Sequence, residues 1–324
     1  MPTAWPRRQL YQNLSRNAFV LPLYPEMERF LRLKPEVDPK KVGVQAFRDM
    51  FREETRLLPK ENVEEVEDVS IPGSEGEIHA KVYRPTGTKN SGGVVYLHGG
   101  GFVMGDVESY DPFSRALANA SGCLVLSVDY RLAPEHKFPA AVTDSFDAVS
   151  WAVRNSSKLG MTKGVAVAGD SAGGNLAAVS ALMCREKKVE LKAQVMVFPF
   201  IAFDVVSRSS VEYTESRMLP KGIGAWFDAQ YLNSPQDVLN PKFSPILWGN
   251  FENLPPALVV TAEYDPLRDS GEAYADTLAK DGVAVTSIRV RGVSHGFTAL
   301  LGIGWDTFAM IGGYLNRRFQ PQLG

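Results

Sequence analysis

The sequence is poor in the side chains that most often announce chemistry: its 324 residues include four histidines and two cysteines. Cys123 lies in an apolar strand pattern and Cys184 in a helical one. Two such residues cannot build a disulfide framework, and both read as buried free thiols. Neither sign of charge is in excess. Lys and Arg number 35 against 37 Asp and Glu, a formal net charge of −2. That balance excludes a nucleic-acid partner, because phosphate binding rests on clustered cations. Long apolar runs are missing too. The longest, residues 195–203, is interrupted by Pro199, whereas a membrane-spanning helix needs about 20 apolar residues. No apolar stretch follows the charges near the N-terminus, so no secretory signal is expected and a cytoplasmic globular protein is. A phosphate-cradling G-x-G-x-x-G and a zinc-binding H-E-x-x-H are both absent, and no metal or organic cofactor is expected.

What is present is alternation. From about residue 60 onward, short β-branched runs at 64–70, 78–83, 93–98, 123–129, 165–169, 193–198, 257–263 and 286–290 are interleaved with helical patterns at 111–120, 140–154, 175–186 and 268–280. The central runs, such as Val94-Val95-Tyr96-Leu97 and Leu258-Val259-Val260, are continuously apolar. Strands covered on both faces look like this, so the expected fold is α/β, with a mostly parallel sheet of about eight strands between helices. Two regions break the pattern. Residues 1–55 hold no strand signal but carry helical patterns around Leu10, Tyr11, Leu14 and Phe19, and around Phe47, Met50 and Phe51. Residues 204–250 interrupt the sheet with Met218-Leu219-Pro220-Lys221-Gly222 and a helix bearing Trp226, Phe227 and Tyr231. Aromatic stripes at helical spacing ordinarily pack onto a core. Because the sheet pattern resumes intact after the insertion, the two pieces are read together as a helical cap over a core formed by residues 56–203 and 251–324.

The sharpest local signal is Gly169-Asp170-Ser171-Ala172-Gly173-Gly174, between the strand Val165-Ala166-Val167-Ala168 and a helix. A serine on a sharp strand-to-helix turn is pushed clear of the sheet, with glycines on either side because strand and helix approach closely there. Its hydroxyl is a weak nucleophile at neutral pH and needs a base. His79 lies within an early strand and reads as a surface or structural residue; His98 and His136 also precede Ser171. His295, in Ser294-His295-Gly296-Phe297 after the last strand, fits the chain order Ser, acid, His typical of folds with such a serine turn. For the acid, Asp265 ranks first because it directly follows the strand at 257–263; Asp204, after the preceding strand, competes with it. Asp269 falls on the first turn of a helix, where the dipole suffices to explain it. Finally, His98-Gly99-Gly100-Gly101-Phe102 follows the third strand, and its glycines let backbone amides approach an oxyanion.

These motifs, with Tyr130-Arg131-Leu132-Ala133-Pro134-Glu135 and Asp265-Pro266-Leu267-Arg268-Asp269, resemble the hormone-sensitive-lipase-like branch of the α/β-hydrolase carboxylesterases over about residues 60–320. The resemblance implies an α/β-hydrolase fold and a catalytic triad of Ser171, Asp265 and His295. It implies an oxyanion hole from the amides of Gly100, Gly101 and Ala172, and a scaffolding role for His98 and residues 131–135. The expected activity is hydrolysis of short- to medium-chain acyl esters through an acyl-enzyme on Ser171, in a pocket lined by Phe102, Trp226 and Phe227. An amidase or other acyl-transfer enzyme would use the same triad, and a ligand-binding protein without catalysis could share the fold. The expected partner is a small-molecule ester. The last strand, an edge able to pair with a second copy, leaves a homodimer possible.

Overall fold

Strand-forming runs of the sequence pair into one eight-stranded sheet in the computed structural model, which describes residues 22–34, 37–87, 91–202, 207–213, 218–219 and 222–320. The strands are β1 (Glu65–Gly73), β2 (Gly76–Arg84), β3 (Gly93–Leu97), β4 (Leu124–Val128), β5 (Val165–Asp170), β6 (Gln194–Val197), β7 (Ala257–Tyr264) and β8 (Val285–Ser294). Their order is β1-β2-β4-β3-β5-β6-β7-β8. The pairs of β2 with β1 and β4 are antiparallel and all others parallel, so this is the mostly parallel sheet expected.

The helices are α1 (Pro25–Leu33), α2 (Val44–Arg56), α3 (Asp111–Ser121), α4 (Ala140–Arg154), α5 (Ala172–Glu186), α6 (Arg208–Glu212), α7 (Ile223–Tyr231), α8 (Arg268–Lys280) and α9 (Ile303–Arg318), with single-turn pieces between some of them. Alternate residues of each central strand enter different cores, as the two-residue repeat of a strand requires. Val95 and Leu97 join a cluster with residues of α4, α5 and α8. Val94 and Tyr96 join a second cluster with residues of α3 and α9. Helices therefore cover both faces. Cys123 and Cys184 are buried, and burial pushes their thiols up to about 11 and about 12.

Several element boundaries differ from expectation for local reasons. Helix α5 starts at Ala172 rather than Asn175, because Gly173 and Gly174 serve close packing here rather than ending a helix. Strand β8 runs to Ser294, past an irregularity in its register with β7 near Ala262 and Tyr264, so His295 directly follows it. Helix α9 is a further element, packed against α3 so closely that a Cβ on Gly312 would stand 2.2 Å from the Ala120 carbonyl oxygen. The helical pattern at Leu10–Phe19, the candidate acid Asp204, and Pro220 and Lys221 lie outside the described residues.

Helices α2 and α7 meet through aromatic rings. Phe47 lies 5.6 Å from Trp226 and 6.4 Å from Phe227 between ring centroids. After α7 the chain returns to the body of the molecule: the Phe243 carbonyl accepts from Asn175 Nδ2, and Trp248 Nε1 donates to Glu186.

Candidate active site

Ser171 sits between β5 and α5 with φ 52° and ψ −118°, a left-handed conformation that costs an L-residue with a side chain on the order of 1–3 kcal/mol. The surroundings hold it there. Its amide donates to the Val197 carbonyl of the neighbouring strand at 2.9 Å, and its carbonyl accepts from Asn175 and Phe200. The turn is possible because a Cβ on Gly173 would lie 1.9 Å from the Leu97 carbonyl oxygen, and one on Gly169 would meet the Gly173 carbonyl at 2.2 Å. These glycines let α5 press against the end of β3.

Two further strand ends bring in the remaining polar groups. Asp265 follows β7, and His295 follows β8. His295 Nε2 is 2.8 Å from Ser171 Oγ, and its Nδ1 is 2.7 Å from Asp265 Oδ2. An ionised carboxylate can only accept, so Nδ1 carries the proton facing Asp265 and the neutral ring presents Nε2 as acceptor to the serine hydroxyl. Asp265 is fully buried, and its second oxygen accepts from the Leu267 amide at 2.9 Å. The imidazole is buried and lies edge-on to Phe198, with 4.8 Å between ring centroids. Met218, from the insertion after β6, reaches the backbone of Gly296 beside it.

The loop after β3 forms the opposite wall. Gly100 and Gly101 take φ values of 113° and 62°, which glycine reaches without penalty. Among the described residues, no acceptor engages the amides of Gly100, Gly101 or Ala172, so they are available to an anion. His98 orients this loop. Its Nδ1 lies 2.8 Å from the Gly99 carbonyl oxygen, and a trans peptide then turns the Gly100 N–H the opposite way. The His98 ring stacks on Tyr130 at 4.2 Å, and the Tyr130 hydroxyl donates to the His98 carbonyl at 2.6 Å. Burial holds the His98 pKa below its ordinary value, in keeping with a neutral scaffold. Arg131 forks onto Asp144 at 2.7 and 2.8 Å, and the Ala133 amide donates to the Phe102 carbonyl at 2.9 Å. The segment at 131–135 thus buttresses the loop.

A buried carboxylate that the sequence reading did not single out joins this loop to the serine turn. Asp170 accepts from the Tyr96 hydroxyl at 2.9 Å, the Tyr110 hydroxyl at 3.0 Å and the Gly99 amide at 3.0 Å. Burial raises its pKa against the pull of both hydroxyls. A charged residue ending the wholly apolar run 165–168 was the signal available in the sequence.

The other candidates fall in different places. His79 is on β2 beside Asp68 at 2.8 Å, and His136 is exposed. Asp269 does more than complement a helix dipole: it accepts from Ser209 N at 2.8 Å and Arg268 Nε at 2.8 Å, tying α6 to the start of α8. Of the three aromatics expected to line a pocket, Phe227 has its ring against Gly101, where a Cβ would stand 2.4 Å from Cδ1. Trp226 is buried against Phe47. Phe102 is packed among other rings. With φ 62° it stacks on Tyr231 at 4.2 Å and is 4% exposed, inside an aromatic cluster with Phe200 and Phe243.

Known proteins share this arrangement of chain. The profile of a family described as having the alpha/beta hydrolase fold matches residues 94–299. An arylesterase of Saccharolobus solfataricus is 40% identical over 306 residues, 93% of this chain and 100% of its own length. An ethyl acetate hydrolase of Pseudomonas putida is 36% identical over 77% of this chain and 81% of its own. The solved structure of a hyperthermophilic esterase from Pyrobaculum calidifontis superposes with a TM-score of 0.85 at 44% identity, covering 92% of this chain and 99% of that one. The sheet order, the serine turn and these relatives place the chain in the α/β-hydrolase family, within its hormone-sensitive-lipase-like esterase branch.

Proposed function

We propose that the protein is a serine carboxylesterase acting on short- to medium-chain acyl esters. The observation that carries this reading is the unbroken contact from Asp265 through His295 to the strained Ser171, at 2.7 and 2.8 Å. In the first half-reaction His295 Nε2 takes the Ser171 proton as Oγ attacks the ester carbonyl. Negative charge then develops on the carbonyl oxygen, where the amides of Gly100, Gly101 and Ala172 receive it. Collapse of the tetrahedral intermediate breaks the C–O bond to the alcohol, which leaves with the proton from His295. Water, deprotonated by the same nitrogen, adds to the acyl-enzyme; the second intermediate releases the acid and returns the proton to Ser171. Asp265 keeps the ring in the required tautomer and offsets its charge while it is protonated.

The same reading assigns residues 1–55 and 204–250 to a lid, supported by the packing of Phe47 on Trp226 and Phe227 and by Phe227 lying on Gly101. An aromatic lid close to the nucleophile favours compact acyl groups. It also includes a cytoplasmic location, and pairing of two copies along β8, which among the described residues has a strand neighbour on one side.

The test is hydrolysis of 4-nitrophenyl butyrate by wild type and Ser171→Ala, with organophosphate labelling read by mass spectrometry. We expect the variant to lose at least about 10³-fold in kcat and the label to fall on Ser171. Undiminished activity in Ser171→Ala would overturn the assignment.

A further inference from the structure

We propose that Arg48, on helix α2 and far from Ser171 in sequence, is a positioning residue of the oxyanion loop. This rests on the esterase reading above. Arg48 is mostly buried, with 15% of its side chain exposed, and four of its N–H groups have defined acceptors. Nε donates to the Val103 carbonyl at 2.7 Å, and Nη2 to the Ala133 carbonyl at 2.8 Å. Nη1 and Nη2 also fork onto Glu135 at 2.8 and 2.7 Å.

Val103 closes the turn that bears the candidate oxyanion donors. Its own amide donates to the Gly100 carbonyl at 3.1 Å, and the Met104 amide donates to the same oxygen at 3.0 Å. On the other side, the Ala133 amide holds the Phe102 carbonyl at 2.9 Å. Arg48 therefore bonds to both chain segments that meet behind the loop, at the carbonyl adjoining the turn and at its buttress. One turn further along α2, Arg52 forks onto Asp106 at 3.1 and 2.6 Å. The helix thus lies along residues 103–106. An arginine is required because a planar fork can meet two carbonyls and a carboxylate together, whereas a lysine ammonium is a point donor.

If Arg48 is removed, the Val103 and Ala133 carbonyls lose their partner and the turn relaxes. The Gly100 and Gly101 amides then no longer point where the oxyanion forms. That harms the transition state more than the bound ester, so kcat carries the loss and KM does not.

The experiment compares wild type, Arg48→Lys and Arg48→Met on 4-nitrophenyl butyrate, with inhibition by a trifluoromethyl ketone, which forms the tetrahedral oxyanion on the serine. Circular dichroism and thermal melting identify the folded variants. We expect Arg48→Met to lose about 10- to 100-fold in kcat, below the loss of a whole donor. KM should stay within about threefold, and inhibitor affinity should fall in proportion to kcat/KM. Arg48→Lys should recover part of each loss. A folded Arg48→Met with kcat within twofold of wild type and undiminished inhibitor affinity overturns the proposal. Should that variant not fold, Arg48→Lys is judged by the same measurements. Activity that survives Ser171→Ala overturns the esterase reading itself, which separates the two failures.

Discussion

Asp265 is sealed from water and holds its histidine at 2.7 Å, so its replacement leaves the imidazole with the wrong tautomer and no counter-charge. Asp265→Asn is expected to lower kcat by about 10³–10⁴-fold, while Asp204→Asn stays within about threefold; a larger loss at 204 would make that residue the acid. Asp228 offers a different measurement. Burial pushes its carboxyl up to about 7, and among the described residues its Oδ2 has no hydrogen-bond partner. The folded state therefore keeps a proton that the unfolded chain, titrating near 3.9, gives up. Stability must then fall as pH rises between about 4 and 7, and the deficit persists above that range. Asp228→Asn should consequently melt at the same temperature as wild type near pH 4 and several degrees higher at pH 8. A constant difference between the two proteins across this range would refute the assignment. The three residues of the proposed triad stand out in the sequence because each directly follows a strand and carries its own motif. Asp170 does not, because its partners Tyr96 and Tyr110 read as ordinary apolar positions until the sheet places their hydroxyls beside it.

Among the elements, all eight strands were legible, since the central ones are short, continuous, β-branched apolar runs bounded by turns, while β1 and β8 alternate buried and exposed residues over parts of their length. Helix α9 was harder to see. Gly304, Gly312 and Gly313 lie within it, and glycine disfavours a helix by about 1 kcal/mol per residue. The packing against α3 overrides that propensity, and it does so unequally. A Cβ on Gly312 would collide with the Ala120 carbonyl at 2.2 Å, whereas nothing lies within 4 Å of one on Gly313. Adjacent substitutions should therefore act in opposite directions. Gly312→Ala is expected to cost about 1–3 kcal/mol and Gly313→Ala to be neutral or to stabilise by up to about 1 kcal/mol, both read from urea denaturation midpoints. Equal effects would mean that α9 and α3 are not so closely crossed.

For the whole molecule, the lid reading makes substrate size the property to measure. Activity should be greatest on esters of short to medium acyl chains and low on emulsified long-chain triglycerides. Phe227→Ala, which removes the ring lying on Gly101, should move the optimum toward longer chains. An unchanged chain-length profile would separate Phe227 from the acyl pocket. The proposed lid reads in the sequence as an interruption of the sheet pattern, which does not say which side chain would meet the substrate. Phe102, Trp226 and Phe227 are alike as apolar aromatics. Phe102 differs from the other two in its positive φ and its stack on Tyr231, and neither is written in the spacing.

Gly99 constrains the order in which such a site can be assembled. A Cβ there would stand 2.4 Å from Asp170 Oδ2 and 2.9 Å from the Tyr110 hydroxyl oxygen. Positions 71 residues apart are therefore locked to each other. A lineage acquiring the carboxylate before the glycine would pass through a chain whose atoms overlap. Mutational paths into this site must place Gly99 first, and loss of the Asp170 carboxylate alone does not free residue 99, because a Cβ there would still stand 2.9 Å from the Tyr110 hydroxyl oxygen and 3.0 Å from the Asp170 backbone carbonyl oxygen.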